Sequence, residues 1–513
     1  MLPVMQIEIK IKYAALLVFI ATAYFSVGHY HSDEFFQILE FAQFKLGQTS
    51  AADLPWEFHE KMRPTIQPWI AVVAIKALHF INISNPFTIT LLLRIISAIF
   101  FWFVICKLNE VICKKYFPDI KWTIFYYTIS LFLWFVPFLS VRFSSENYSA
   151  AFLLLGLYFV IKDNIARKDF LLTGLFLGLS VLFRYQLGIS VLGIFLWIMI
   201  RSKTPFSIYA YSLISFALTI SLGFYLDYLF YNEFVLAPIN YLNFNLIQGR
   251  AEEFGTSPWW YYISYFLIAA IPPLSIVLLA SFLNGLVKLK DNVFIWGILP
   301  FLLVHFFIGH KEIRFLFPIL YLFIFIATYG LMNYFSHRPI KKYQYILLKV
   351  SIGLNLILLL FTMFRPANEM VSNYKYLYDN IHLGNRTVLS IKEDTYTLDG
   401  LKTTFYTPIY CTSDHLGSER ELGIYLDTNR IDKCFLVYGK FDFEGTIEGY
   451  DIEKVYSVYP SWLKTLEWID WQEALSTHSV FLLTRKLPFN SSTQQTIGTD
   501  SHTKVKFNKS HFI

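Results

Sequence analysis

One stretch decides the class of this chain: residues 86–106 read PFTITLLLRIISAIFFWFVIC. Arg94 is the only charged side chain within it. A helix of about 20 apolar residues spans the hydrocarbon core of a bilayer. The stretch therefore predicts a helix that crosses a membrane.

The composition extends this prediction to most of the chain. Of the 513 residues, 55% are hydrophobic and 16% are charged, whereas globular chains average about 25% charged residues. Disorder requires low hydrophobicity and high charge, and a fibrous protein requires a short repeat, so both classes are excluded. Because long apolar runs recur about every 20–30 residues, the composition favours a multi-span helical membrane protein over a single soluble domain.

The distribution of basic residues supports a count of about eleven spans. If the N-terminus with Lys10 and Lys12 is cytoplasmic, every second turn is basic and also cytoplasmic, as the positive-inside rule requires. The net charge of +6 then indicates membrane orientation rather than nucleic-acid binding. A weaker apolar segment, residues 67–80, is predicted to be a re-entrant or interfacial helix. The predicted spans are residues 11–29, 86–106, 121–141, 147–161, 169–183, 187–201, 207–231, 261–284, 292–309, 313–334 and 345–364.

The apolar runs end near residue 365, which divides the chain into three regions. Residues 1–364 form the predicted transmembrane domain. Short β-rich stretches separated by polar turns predict a small α/β domain over residues 365–488, and an odd number of spans places it on the non-cytoplasmic side. Residues 489–513 are polar and are expected to form a disordered tail. Cys411 and Cys434 lie in the outer domain, where either a disulfide or two free thiols fits the sequence.

The first outer loop carries two adjacent carboxylates, Asp33 and Glu34, directly after the first span. Desolvation at the membrane boundary raises the pKa of a carboxylate, which suits a general base. The alternative is a solvated loop in which Ser32 or Asp33 caps a helix. Further along, Arg63 ends a segment of acids and aromatics whose alternative role is an interfacial aromatic belt.

A second candidate region is the turn at residues 310–315, HKEIRF. His310, Lys311 and Arg314 place three potential cations beside Glu312 at a helix entrance, and such groups can hold a phosphate. Arg184 and Gln186 lie in another turn on the same predicted side of the membrane, so they are candidates for the same anionic ligand.

The outer loop at residues 240–260 is the candidate region for carbohydrate. It contains Asn243, Asn245 and Trp259, and amides hydrogen-bond sugar hydroxyls while aromatic faces stack on sugar rings. The alternative is a loop that aromatic residues anchor at the membrane interface. Because no nucleotide-binding motif stands in a credible context, the sequence favours a lipid-carried sugar donor over a soluble nucleotide sugar.

Five of these regions, in this order, resemble the motifs of glycosyltransferase family 22. This family comprises the lipid-phosphate-mannose-dependent α-mannosyltransferases of glycolipid-anchor and N-glycan assembly. The segments that carry the resemblance are residues 31–37, 56–63, 183–186, 243–261 and 310–318.

The resemblance implies a GT-C fold, an all-α polytopic membrane protein, with the active site on the non-cytoplasmic side. It implies inverting transfer of mannose from a polyprenyl-phosphate donor to a hydroxyl of a glycolipid or glycan acceptor. Asp33 is the expected general base, with Glu34 as the alternative base or a positioning group. The residues expected to bind substrate are Arg63, Arg184, Gln186, Asn243, Asn245, Trp259, His310, Lys311, Glu312 and Arg314.

The expected partners are these two substrates and membrane lipids, without nucleic acid. No cofactor is expected, and a divalent metal is neither required nor excluded. The protein is expected in the endoplasmic reticulum membrane of a eukaryote or the inner membrane of a bacterium. Three alternatives are a GT-C enzyme for another lipid-linked sugar, a transporter or flippase, and a structural membrane scaffold.

Overall fold

The computed structural model describes residues 2–486 except 164, 203, 337, 392–393, 399, 409, 444 and 461–477. Apolar helices dominate residues 2–364, and a mixed β-sheet follows them. The region of the predicted tail, residues 489–513, lies outside the described residues.

Every predicted span coincides with helix in the described chain. Four helical stretches are long and apolar enough to cross a membrane by themselves, and shorter apolar helices accompany them. The helices at the predicted spans are Leu2–Phe25, Pro86–Tyr116, Ile120–Phe132 with Phe135–Ser140, Ser145–Ile161, Arg167–Phe183, Gly188–Ile200, Phe206–Tyr231, Tyr261–Ala269 with Leu274–Lys288, Val293–Phe307, Leu320–Ser336 and Lys342–Phe364.

Two spans that the sequence predicts as continuous are broken. The predicted span 121–141 changes direction at Leu133, whose backbone is extended. The predicted span 261–284 is interrupted at residues 270–273, where Pro272 and Pro273 both lack the backbone N–H that a helix needs. Both breaks shorten the helices beside the large apolar cavity described below.

The helix starts follow the capping residues of the sequence. The Asn85 side chain accepts a hydrogen bond from the backbone N of Phe87 at 2.8 Å, and Pro86 occupies the first helical position. Asp119 accepts from the backbone N of Lys121 at 2.7 Å in the same way. Each cap satisfies a backbone donor that has no partner inside its own helix.

Small residues allow close contact between helices in the bundle. Gly285 and Gly330 lie where Leu274–Lys288 crosses Leu320–Ser336, and a Cβ atom built on Gly330 would lie 1.9 Å from the Ser281 carbonyl oxygen. Such close approach of backbones is typical of packing between membrane helices. A larger side chain at Gly330 would force the two helices apart.

Short helices connect the apolar helices of residues 2–364. Ile66–Phe80 confirms a helix in the weaker apolar segment that begins at residue 67. The other elements are Ser32–Phe35, the π-helical turn Phe36–Glu40, Phe41–Lys45, Ala51–Asp53, Trp56–His59, Ala237–Leu242, the π-helical turn Asn243–Ile247, Arg250–Phe254 and Ile313–Ile319.

The C-terminal region is the predicted small α/β domain. Its strands are β1 (Thr387–Ile391), β2 (Thr397–Leu398), β3 (Leu401–Lys402), β4 (Thr412–Leu416), β5 (Lys433–Tyr438), β6 (Tyr450–Ser457) and β7 (Ser479–Arg485). Five of them form a sheet in the order β4-β1-β5-β7-β6, in which β1 is parallel to β4 and β5 while β7 is antiparallel to β5 and β6. The accompanying helices are Glu369–Asn380, Ile381–Gly384, Thr404–Tyr406 and Glu419–Thr428.

The two alternatives for the cysteines are decided in favour of free thiols. All four cysteines of the chain lie in the described part, and each is unpaired. Cys434 lies on β5 and is buried in the core of the C-terminal domain, whereas Cys411 is half-buried.

The C-terminal domain packs directly on the segment that follows the first span. The ring of Tyr406 stacks on Phe35 with the ring centroids 5.0 Å apart. Glu40 is fully buried and accepts hydrogen bonds from the backbone N of Phe405 at 2.9 Å and from the Thr49 hydroxyl at 2.8 Å. These contacts tie the C-terminal domain to the segment that carries Asp33 and Glu34.

Candidate active site

The first carboxylate of the site, Asp33, lies in the short helix Ser32–Phe35. His31 caps this helix, because its Nδ1 accepts a hydrogen bond from the backbone N of Asp33 at 3.2 Å. Nδ1 is then an acceptor, so the ring proton belongs on Nε2, which lies 3.4 Å from Glu312 Oε2. Burial and the nearby Arg314 lower the pKa of His31.

Arg314 is the central cation of the site. Its Nη1 lies 2.7 Å from Asp33 Oδ2 and 3.7 Å from Glu146 Oε1, and its Nε donates to Glu312. Only 6% of Arg314 is exposed, so these ion pairs are shielded from water. Burial alone would raise the pKa of Asp33, but Arg314 and Arg63 outweigh that effect and hold the pKa below its usual range.

A second buried ion pair flanks the first. Arg184 Nη1 lies 2.6 Å from Glu146 Oε1, and the backbone around Glu146 is held by the N-cap Ser144 at the start of Ser145–Ile161. Both partners are almost fully buried. Since Glu146 also faces Arg314, it holds two arginines at fixed positions on one side of Asp33.

A third arginine, Arg63, approaches from the segment between the first two membrane-spanning helices. Arg63 Nη2 lies 3.5 Å from Asp33 Oδ2 and 3.3 Å from Glu57 Oε1. The Gln37 amide donates to the same Glu57 oxygen at 3.1 Å. Burial raises the pKa of Glu57 despite the nearby Arg63.

Glu34 differs from Asp33 in its electrostatic surroundings. It accepts a hydrogen bond from the backbone N of Tyr30 at 3.2 Å. Burial raises the pKa of Glu34 to about 7, against the influence of Arg142. At neutral pH, Asp33 is therefore ionised while Glu34 is partly protonated.

These groups surround a small polar cavity of about 30 Å³. We call it the polar cavity. Its polar lining residues are Asp33, Glu34, Gln37, Arg63, Gln67, Ser145, Glu146, Arg184, Tyr185, Gln186 and Tyr241.

The structure also contains a large apolar cavity of about 540 Å³. Tyr30, three residues before Asp33, and Ile313, next to Arg314, line it, whereas Asp33 lines the polar cavity. The ion pair therefore links the wall of the polar cavity to a segment that also lines the apolar cavity. The larger side chains of the apolar wall include Phe138, Tyr262, Phe266, Leu302, Phe306, Leu316, Phe317 and Phe323, and Arg365 also lines it.

The described residues contain no group of three or more His, Cys, Asp or Glu side chains arranged to hold a metal ion. The three arginines are the principal cations of the site.

A sequence model of the Alg9-like mannosyltransferase family matches residues 11–412, which include the whole cluster. The chain belongs to the Alg9-like mannosyltransferase family.

Individual members and a solved structure agree with this assignment. GPI mannosyltransferase 3 of Yarrowia lipolytica is 29% identical over 322 residues, covering 60% of this chain and 60% of the relative. GPI alpha-1,2-mannosyltransferase 3 of Bos taurus is 23% identical over 375 residues, covering 70% of this chain and 65% of the relative. The matches thus span 60–65% of the length of these two relatives.

The fold is shared with a solved membrane protein. The crystal structure of ArnT from Cupriavidus metallidurans bound to undecaprenyl phosphate superimposes with a TM-score of 0.52 at 10% identity. The superposition covers 92% of this chain and 97% of that one. With the family match, it confirms the predicted GT-C fold of a multi-pass membrane protein.

Several residues that were predicted from the motifs resembling glycosyltransferase family 22 meet in this site. Asp33, Glu34, Arg63, Arg184 and Gln186 all line the polar cavity. Arg314 and Glu312 join Asp33 through the ion pairs above, and His310 Nε2 lies 3.0 Å from Glu312 Oε1.

In the described structure, four predicted binding residues lie outside the network of ion pairs around Asp33. The Lys311 ammonium donates to the Ile308 carbonyl, and the Asn245 amide donates to the Tyr241 carbonyl at 3.0 Å. Trp259 is 60% exposed, and neither it nor Asn243 lines the polar cavity. The loop at residues 240–260 instead contributes Tyr241, whose hydroxyl accepts from the Gln186 amide at 2.5 Å.

The site also contains polar residues that were not predicted from the sequence, among them Glu57, Glu146 and Gln67. Glu57 and Glu146 each hold an arginine, and Gln67 lines the polar cavity. Glu57 lies within residues 56–63, one of the segments that resemble glycosyltransferase family 22. Glu146 is a carboxylate at the start of an apolar helix. Both positions therefore carried a signal of a functional role. Gln67 offered only its position at the start of the weaker apolar segment.

Proposed function

We propose that the protein is a membrane mannosyltransferase that uses a polyprenyl-phosphate mannose donor and a glycolipid acceptor. The observation that carries the proposal is the Asp33–Arg314 pair, which links the wall of a polar cavity to a segment that also lines an apolar cavity. A lipid-linked sugar has the same division, with an apolar chain and a hydroxyl-rich head joined by a phosphate.

The apolar cavity fits the lipid chain of the donor. Its aromatic and aliphatic walls would contact a polyprenyl chain through apolar surface, and its volume of about 540 Å³ is within the range of ligand sites. The solved structure with this fold, ArnT, binds undecaprenyl phosphate. In this arrangement the donor phosphate lies near Arg314.

The proposed reaction forms one glycosidic bond and breaks another. The acceptor hydroxyl oxygen attacks C1 of mannose, Asp33 takes the hydroxyl proton, and the bond from C1 to the phosphate oxygen breaks. Attack on the face opposite the phosphate inverts the configuration at C1. The leaving polyprenyl phosphate gains negative charge, which Arg314 and Arg184 stabilise at short range.

The ion pair makes the strength of the base depend on the donor. In the free protein Arg314 holds Asp33 ionised with a low pKa, so Asp33 is a weak base. A donor phosphate competes with Asp33 for the same guanidinium group. As Arg314 turns to the phosphate, the pKa of Asp33 rises toward the range in which a carboxylate accepts a proton readily.

The relatives support a more specific acceptor. The proteins of Yarrowia lipolytica and Bos taurus are named for GPI mannosyltransferase activity, and the second name specifies an alpha-1,2 linkage. We therefore propose a GPI-precursor glycolipid as acceptor. The site faces the non-cytoplasmic side in this proposal, which in a eukaryote is the lumen of the endoplasmic reticulum.

A transfer assay with purified protein tests the proposal. Labelled polyprenyl-phosphate mannose, glucose and arabinose are offered with a GPI-precursor acceptor, and the linkage of the product is determined. We expect mannose transfer with an α-1,2 linkage, because both named relatives are mannosyltransferases. Transfer of another sugar would support a different GT-C enzyme, and the absence of transfer from every lipid donor would contradict the proposal.

A further inference from the structure

Three glutamines line the polar cavity, and one of them differs from the others. The Gln37 amide is bonded to Glu57 at 3.1 Å, and the Gln186 amide to the Tyr241 hydroxyl at 2.5 Å. Gln67 is only 3% exposed, yet neither its Oε1 nor its Nε2 has a hydrogen-bond partner among the described residues. Two ends of one buried amide are therefore available to a ligand in the cavity.

The position of Gln67 is fixed by its neighbours. Thr65, two residues earlier, donates from its backbone N and its hydroxyl to Asp227 Oδ1 at 3.0 and 2.7 Å. This contact joins the start of the helix Ile66–Phe80 to the membrane helix Phe206–Tyr231. The backbone at the start of this helix, which places Gln67 at the wall of the cavity, is thus fixed before any ligand binds.

An unpartnered buried amide is costly unless something binds it. Leaving a buried polar group without a hydrogen bond destabilises the folded protein, and Gln67 has two such atoms. The Nε atoms of Arg63 and Arg184 are also buried without partners among the described residues, and both side chains line the same cavity. The lining residues therefore include three donor atoms and one acceptor atom that have no partner among the described residues.

This pattern suits hydroxyl groups. A hydroxyl can donate to Gln67 Oε1 and accept from its Nε2, whereas a phosphate or carboxylate at neutral pH lacks the proton that Oε1 needs. About 10–15 Å³ holds one water-sized group, so a cavity of about 30 Å³ has room for about two hydroxyls. Two adjacent hydroxyls are a standard feature of a hexose ring.

We infer that Gln67 binds hydroxyl groups of a hexose in the polar cavity and contributes to sugar specificity. The inference rests on the proposed function and deepens it, because the hexose is either the transferred mannose or the acceptor sugar. Both offer the same chemistry to the amide, and the experiment below distinguishes them. Gln67 is a substrate-binding residue in this view, with no part in proton transfer.

The test compares Gln67→Met with the wild type on deoxy-sugar substrates. Methionine has nearly the same length as glutamine but forms no comparable hydrogen bonds, so it removes the proposed contact with little change in volume. One series of donors and one series of acceptors each lack a single hydroxyl. Gln37→Met is the matched control, because it makes the same change on the same wall at a glutamine whose amide already has a partner.

We expect kcat/KM of Gln67→Met to fall about tenfold or more on the natural substrates, since two hydrogen bonds are lost. On an analogue that lacks a contacted hydroxyl, the gap between the variant and the wild type should shrink. A smaller gap on a deoxy donor assigns Gln67 to the transferred mannose, and a smaller gap on a deoxy acceptor assigns it to the acceptor. The melting temperature of Gln67→Met should stay level or rise, whereas that of Gln37→Met should fall.

Other results would overturn the inference. An equal loss of Gln67→Met on every analogue, together with a lower melting temperature, would show a structural role. An unchanged kcat/KM on the natural substrates would show that no hexose contacts Gln67. A wild type without any transfer would overturn the proposed function and this inference together, which separates that failure from the first two.

Discussion

Replacing Arg314 with glutamine tests the electrostatic core of the site. Arg314 neutralises Asp33 and Glu312 at short range. Burial alone would raise the pKa of Glu312, but Arg314 outweighs this effect and lowers the pKa from 4.5 to about 2. Each pKa unit corresponds to about 1.4 kcal/mol, so ionised Glu312 contributes about 3 kcal/mol to the free energy of unfolding at neutral pH.

The sign of the pH dependence follows from the direction of this shift. A carboxylate whose pKa is lowered on folding stabilises the protein above its unfolded pKa, here 4.5, and loses that contribution as pH falls toward 2. In Arg314→Gln the same carboxylates stay buried without their cation, and protonation relieves them. We therefore expect a loss of about 3 kcal/mol or more at pH 7.5 that shrinks as pH falls toward 5.

Thermal unfolding in detergent at several pH values measures this difference. A group whose pKa does not depend on Arg314, such as Glu40, cancels when the variant is compared with the wild type at each pH. Arg250→Gln is the matched control, because Arg250 forms an exposed pair with Glu253 at 2.9 Å, and such pairs contribute about 0–1 kcal/mol. A gap that is the same at pH 5 and 7.5, or no larger than that of the control, would refute the reasoning.

Three further predictions concern the surroundings of the ion pair. Burial raises the pKa of Glu34 to about 7. The KM of the donor should therefore rise between pH 6 and 8, because Glu34 becomes negative in this range. In Glu34→Gln this KM should be independent of pH. Tyr406→Ala removes the ring that stacks on Phe35. Steady-state kinetics should show a severalfold lower kcat, and denaturation should show an unfolding free energy that is lower by about 3 kcal/mol. Ala269→Trp fills part of the apolar cavity and should raise the KM of a long-chain polyprenyl donor much more than that of a short-chain donor.

The apolar periodicity of the sequence was sufficient to predict the helices but not all of their ends. The apolar run from Pro86 ends near residue 106, whereas the helix continues to Tyr116, because its last turns carry charged residues that are good helix formers. Hydropathy reports where a helix is apolar and gives no direct signal of where it stops. The pair Pro272–Pro273 did give a signal for a break, and the hydropathy of the flanking residues masked it.

The motifs predicted the charged centre of the site better than its walls. Asp33, Arg184 and Arg314 meet as the motif order implies. Lys311 does not join them, because the chain around Glu312 is extended and successive side chains point to opposite sides.

The walls depend on packing between distant helices, which sequence periodicity does not reveal. Gln67 reaches the polar cavity because Asp227, 162 residues beyond Thr65, holds the start of its helix. An isolated glutamine at the start of an apolar segment carries no sign of that contact.

The most direct test of the account is the transfer rate of Asp33→Asn with the lipid-linked mannose donor. Asparagine keeps the size of the side chain but cannot accept the hydroxyl proton, so we expect kcat to fall about 10²–10⁴-fold while the protein still folds. Glu34→Gln, the neighbouring change of the same kind, should keep most of the activity at pH 7. If Asp33→Asn retained near-normal turnover, or if the loss occurred in Glu34→Gln instead, Asp33 would not be the base.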